Sequence, residues 1–282
     1  MQRQQIQQLA SIHSRYGRSP LKYASWLFGI ASALAGLFDL IWGEFEPAHQ
    51  PIQAWSDHIP GISILARIAA VWLILGGLAL LFRPAARAGA AALTLLYTIF
   101  CLFPLPRIIT APHYMGHHPS VYTGVFLSIG QQVIVFVGAL LLWLSFSSPR
   151  AGALRLAIIG KWLFGLSCID FGLAHFTFLK PTAAFIPAWI PFHEFWAIST
   201  GIAFVLAGLA IVTGIQDVLA ARLTALMLFL FSVLILTPHI FAKPHDHITW
   251  GSDAYNLTAV AAAWILSAWL TFSKSSRLIP DP

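Results

Sequence analysis

Charge is the scarcest commodity in this chain: Lys, Arg, Asp and Glu make up 9% of its 282 residues, against roughly 25% in an ordinary soluble domain. That shortage excludes a water-soluble globular protein. Cysteine is nearly absent as well. Only Cys101 and Cys168 occur, both inside apolar segments and neither in a C-x-x-C pair. A dithiol redox mechanism of that type is thereby unsupported, and both read as small buried hydrophobes. A glycine-rich nucleotide loop, an HExxH motif, a haem ligand pair and a Ser-based triad are all missing. No basic patch with interleaved aromatics accompanies the net charge of +6, so nucleic acid is not an expected partner. Residues 1–22 are polar and Gln-rich and lack the apolar core of a signal peptide, so the first span is expected to act as an uncleaved anchor. Within them Ile6, Leu9, Ile12, His13 and Tyr16 recur at helical spacing beside Arg3, Arg15 and Arg18. That pattern suits a short helix on the inner leaflet, with a disordered tail as the alternative.

What the chain has instead is apolar length, since 58% of its residues are hydrophobic. Stretches of about 20 apolar residues are long enough to cross a bilayer as helices. Such stretches fall at 24–42, 64–82, 88–103, 121–146, 154–176, 195–213, 218–237 and 255–272. The expected class is an all-α integral membrane protein of eight transmembrane helices, with the lipid bilayer as its surroundings. Twelve cations, among them Arg83, Arg87, Arg150, Arg155, Lys161, Arg222 and Lys274, lie on the side of the N-terminus; Arg67, Arg107, Lys180 and Lys243 lie on the other. Because cations are retained on the cytoplasmic side, both termini are expected there, in the inner membrane of a bacterium.

The chain is also written twice. Leu27-Phe28-Gly29 returns as Leu163-Phe164-Gly165, Gly36 as Gly172, Ala54-Trp55 as Ala188-Trp189, Gly77-Leu78-Ala79 as Gly208-Leu209-Ala210, Pro104 as Pro238, and Pro112-His113 as Pro244-His245. An internal repeat of this length decides architecture. The expectation is two tandem four-helix bundles at 24–148 and 149–273, between a cytoplasmic segment 1–23 and a tail 274–282. With four spans each, the repeats are parallel, related by an axis along the membrane normal. Gly29, Gly36, Gly76, Gly77, Gly165, Gly172, Gly201 and Gly208 are expected to let helices approach closely.

Ten of the eleven histidines and eight of the ten acids map to the outer side. Asp170 and His175 lie deepest, and a carboxylate within a membrane helix points to function. Together with Glu194 they are the candidate proton-handling groups. The bland alternative has Asp170 hydrogen-bonded to a neighbouring helix and His175 at headgroup level. Asp39 holds the repeat position of His175, and the two are expected to meet if the repeats pack face to face. His193, His239, Trp250 and Asn256, with Asp39, are candidate ligand-binding groups in the same layer, or else belt residues and helix caps. His113, His117 and His118, and His245 with His247, have spacings that suit a divalent metal bound by imidazole and carboxylate; ordinary turn histidines are the alternative.

The second half resembles the DoxX-like membrane proteins, a bacterial superfamily that includes the DoxD subunit of thiosulfate:quinone oxidoreductases. The resemblance rests on Gly172-Leu173-Ala174-His175-Phe176, on Ile186-Pro187-Ala188-Trp189-Ile190-Pro191, on Gly201 and Gly208-Leu209, and on Trp250 and Asn256-Leu257. The first half matches as a diverged copy, with Asp39 in place of the histidine. The resemblance implies a four-helix unit and association with redox enzymes or quinones. The expected function is accordingly a membrane subunit or partner of a quinone-linked redox system, with a redox protein as partner and quinone or a divalent metal as the cofactor. A small-molecule or metal-ion transporter and a non-catalytic membrane assembly factor are the alternatives.

Overall fold

The computed structural model describes residues 20–46, 60–147 and 151–277. The inner-leaflet helix expected within residues 1–22 and the residues His49, Trp55, Asp57 and His58 fall outside the described residues, save for 20–22. Among the described residues eight helices are long and apolar enough to cross a membrane: Leu21–Trp42, Ile62–Ala79, Ala86–Met115, Pro119–Phe146, Gly152–Thr177, His193–Thr213, Asp217–Ala242 and His247–Lys274. No strand occurs among the described residues. Their outward faces are apolar, with Ile41, Leu75, Leu166 and Leu206 between 55% and 64% exposed. In water that surface would cost about 25 cal/mol for every Å², so lipid is the medium in which this exterior is stable.

The spans run longer than hydropathy alone suggests in three places, each with a local cause. Pro104 and Pro106 divide the third span into Ala86–Leu102 and Arg107–Met115, because proline has no N–H to continue the ladder. Tight turns, such as Arg107 N–H to the Pro104 carbonyl at 3.0 Å, carry the chain across the break. In the seventh span Asp217–Phe231 passes into a π-turn, Ser232–Leu236, before Thr237–Ala242. The Pro238 ring would press on the carbonyl four residues back in a regular helix, and the wider turn relieves that pressure. The eighth span starts at His247, well ahead of the expected residue 255. Asp246 caps it, with Oδ1 accepting the Ile248 N–H at 3.1 Å, so polar residues that read as loop form helical turns.

Glycine pairs set the closest approaches. A Cβ on Gly29 would lie 2.5 Å from the Gly77 carbonyl, and one on Gly36 2.5 Å from the Ala70 carbonyl; on Gly172 and Gly208 it would lie 2.5 Å from the carbonyls of Gly201 and Gly165. First and second spans thus meet, and fifth and sixth, through backbones brought together by the absence of side chains. The fourth span packs most broadly on the fifth and the eighth on the first, while fourth and eighth also touch. The eighth span is the most buried of all, and its run of Ala259, Ala261, Ala262 and Ala263 leaves room for its neighbours. At one end of the bundle the buried Asp217 pairs with Lys274 and, at 3.9 Å, with Lys161. This ties the seventh, eighth and fifth spans together. The opposite end carries the described histidines.

Candidate functional site

The first span brings Asp39 to that opposite end with no solvent exposure, and the eighth span begins there with His247, 7% exposed. The His247 Nε2–H donates to Asp39 Oδ1 at 3.1 Å. These residues stand 208 positions apart and join the two halves of the chain. Asp39 Oδ1 also accepts the Glu46 N–H at 2.9 Å, while Oδ2 is buried and meets no hydrogen-bond partner among the described residues. The imidazole plane stacks on Trp42, centroids 5.2 Å apart at 13°. Phe38 lies 5.2 Å from Trp250, whose indole N–H is held by the Pro244 carbonyl at 2.9 Å. An apolar aromatic wall therefore stands beside a buried carboxylate–imidazole pair.

Glu46 adds a second carboxylate to this layer at 4% exposure. Its side chain crosses the eighth span at Gly251, where a Cβ would come within 2.5 Å of Glu46 Cγ. Below the pair, the Tyr97 hydroxyl is 3.0 Å from Ser32 Oγ, and the Tyr255 hydroxyl donates to the Gln131 carbonyl at 2.7 Å. The layer is thus a buried polar stratum drawn from the first, third, fourth and eighth spans. A carboxylate that orients an imidazole through one nitrogen makes it a competent proton acceptor, and offsets the charge the ring gains. An uncompensated imidazolium here would be costly.

The other expected groups occupy separate places. His175 does not meet Asp39; its Nδ1 is 2.7 Å from the Phe171 carbonyl of its own helix, and its ring packs on Phe204 at 5.4 Å. Asp170 is half-buried, with Oδ2 unpartnered. Glu194 is exposed in the first turn of the sixth span. It lines, with His193, Phe192 and Phe195, an open depression of about 480 Å³. No hydrogen bond or ion pair joins Asp170, His175 and Glu194 to one another among the described residues. Asn256 ties the eighth span to the seventh, donating to the Leu228 carbonyl at 2.7 Å and to Ser232 Oγ at 2.8 Å. His239 packs edge-on to Phe185 at 6.2 Å.

The histidine spacings do not gather into a metal centre. No group of three or more His, Cys, Asp or Glu side chains is placed to hold a metal among the described residues. His113 packs against Tyr114, His117 Nδ1 is 2.8 Å from the Tyr122 hydroxyl, His118 lies over Gly116, and His245 is exposed. His247 serves Asp39 instead. The motif spacing placed ligands along one loop, whereas helix starts at His247 and at Pro119 carry these rings to different elements. Glu46, Tyr97 and Ser32 carry no motif; their signal was only a polar residue in an apolar setting.

No family model matches the chain, no curated protein matches it, and no solved structure matches its fold.

Proposed function

We propose that this chain is a membrane subunit or partner of a quinone-linked redox system, with its proton-handling site at Asp39 and His247 rather than at Asp170, His175 and Glu194. The observation that carries the reading is the buried Asp39–His247 pair beside Trp42. Quinone chemistry couples electrons to protons, and a ring-shaped hydroxyl ligand needs flat apolar walls with a base at one end. His247 would take the proton, Asp39 would hold the charged ring, and Glu46 would share the layer. Electrons would come from a partner redox protein. The DoxX-like resemblance of the second half supports the same class.

In this reading the chain is a parallel repeat in the inner membrane of a bacterium, with both termini cytoplasmic and the Asp39 end outside. Three observations support the repeat. The glycine approaches recur at matching positions in both halves. The fourth span meets the fifth as the eighth meets the first. The fourth and eighth spans close on Trp143-Leu144-Ser145-Phe146 and Trp269-Leu270-Thr271-Phe272. The duplication is unequal in chemistry, since His175 stands where Asp39 does and bonds a backbone carbonyl of its own helix.

The test is quinone extraction from the protein purified in mild detergent, followed by titration with a quinone analogue. Wild type should bind the analogue, Asp39→Asn and His247→Gln should each weaken binding about tenfold or more, and Asp170→Asn should leave it unchanged. Absence of both co-purified quinone and analogue binding in wild type would remove this reading, and an assembly-factor role would then lead.

A further inference from the structure

The π-turn of the seventh span faces the eighth span less than two turns beyond His247. Thr237 Oγ1–H donates to Asp253 Oδ2 at 3.0 Å. Asn256 pins the widened turn through Ser232 Oγ and the Leu228 carbonyl. Asp253 is 7% exposed, and its other oxygen, Oδ1, is buried without a hydrogen-bond partner. No Lys, Arg or His forms an ion pair with it among the described residues.

An ionised Asp253 is an anion in an apolar bundle, met by the hydroxyls of Thr237 and Ser232 and by no cation among the described residues, which is costly. A small cation on Oδ1 removes that cost. The side chains that meet Asp253 there are hydroxyls, Thr237 and Ser232. Ser232 and Thr237 keep lone pairs after their hydrogen bonds, and Pro238 deprives a carbonyl of the preceding turn of its helical donor. Oxygen donors select a hard ion. A single carboxylate balances a single charge, whereas hard divalent ions draw on several carboxylates or many waters. Interrupted membrane helices are also where monovalent ions find backbone oxygen.

We propose that the π-turn Ser232–Leu236, Thr237 and Asp253 form a binding site for an alkali cation of the size of Na⁺, with Asp253 Oδ1 as its charged ligand and the Ser232 and Thr237 hydroxyls beside it. The site is independent of the quinone-linked reading and of the Asp39–His247 pair.

The experiment measures thermal unfolding of the full-length protein in detergent, in NaCl against choline chloride at equal ionic strength, with retention of radioactive sodium on the same samples. Wild type should retain sodium and show a saturable rise in Tm, Asp253→Asn should lose both, and Ser232→Ala or Thr237→Val should weaken sodium affinity about tenfold or more. A wild-type Tm that follows ionic strength or pH alone, with no sodium retained, overturns the site. An Asp253→Asn variant that responds like wild type does the same. Should that variant fail to fold, unchanged sodium affinity in both hydroxyl variants is the overturning result.

Discussion

At the scale of single residues, Asp39 is the position on which most depends. One oxygen satisfies two donors, the Glu46 N–H and His247 Nε2–H, so removing it strands both. Asp39→Ala should therefore lower stability by about 2–4 kcal/mol, the cost of unpaired buried groups. Asp39→Leu combined with His247→Leu should recover part of that loss. A double-mutant cycle on unfolding in detergent checks this, and additive losses would show that the two side chains do not act as a pair. Gly251→Ala tests the neighbouring carboxylate. An added Cβ would press on Glu46 Cγ, so it should cost about 1–3 kcal/mol through overpacking and should weaken analogue binding if Glu46 belongs to the site. Asp39 was conspicuous in the sequence because a carboxylate in an apolar span stands out. Its partner was not, since nothing local links positions 39 and 247.

At the scale of elements, prolines and glycines account for the departures from regular helix. Pro238→Ala restores the missing N–H and should let the π-turn relax to α-helix. That rotates Thr237 away from Asp253, so the Thr237–Asp253 hydrogen bond should be lost and any sodium response with it. A loss of response with Asp253 intact would distinguish the turn's geometry from the carboxylate's charge. At the other end, Asp217 is buried between two lysines. Asp217→Ala should cost about 1–3 kcal/mol by removing a buried acceptor. Lys274→Ala should cost under about 1 kcal/mol, because that side chain is 48% exposed and its charge is screened. Unfolding midpoints of the two variants decide the order. The glycine contacts were legible from their spacing, because small residues seven apart on neighbouring spans leave few other uses. The π-turn was not, since Pro238 alone is equally compatible with a kink or a helix end.

At the scale of the molecule, the contacts between halves are as broad as those within them. Residues 1–148 or 149–282 expressed alone should consequently be unstable, and co-expression should restore a complex that elutes as the intact protein does. Independent, soluble-in-detergent halves would show instead that each is a self-sufficient bundle. Topology is open to direct measurement. Single cysteines placed at 85 and 215 should be labelled from the cytoplasm, and those at 117 and 180 from outside, in a background lacking Cys101 and Cys168. The reverse pattern would move the Asp39 end to the cytoplasmic side and with it the side from which a partner approaches.

Sequence by itself determined the all-helical membrane class and the eight spans, because apolar length is a local property and each helix satisfies its own backbone. It also determined which residue types crowd one end. Tertiary structure decided which of them meet. Asp39 chose His247 over His175, the histidine spacings dispersed onto separate helices, and Asp253 was set against the π-turn. The pairing of Asp39 follows from how the eighth span inserts against the first. That arrangement depends on packing between residues some two hundred positions apart, which no local pattern encodes.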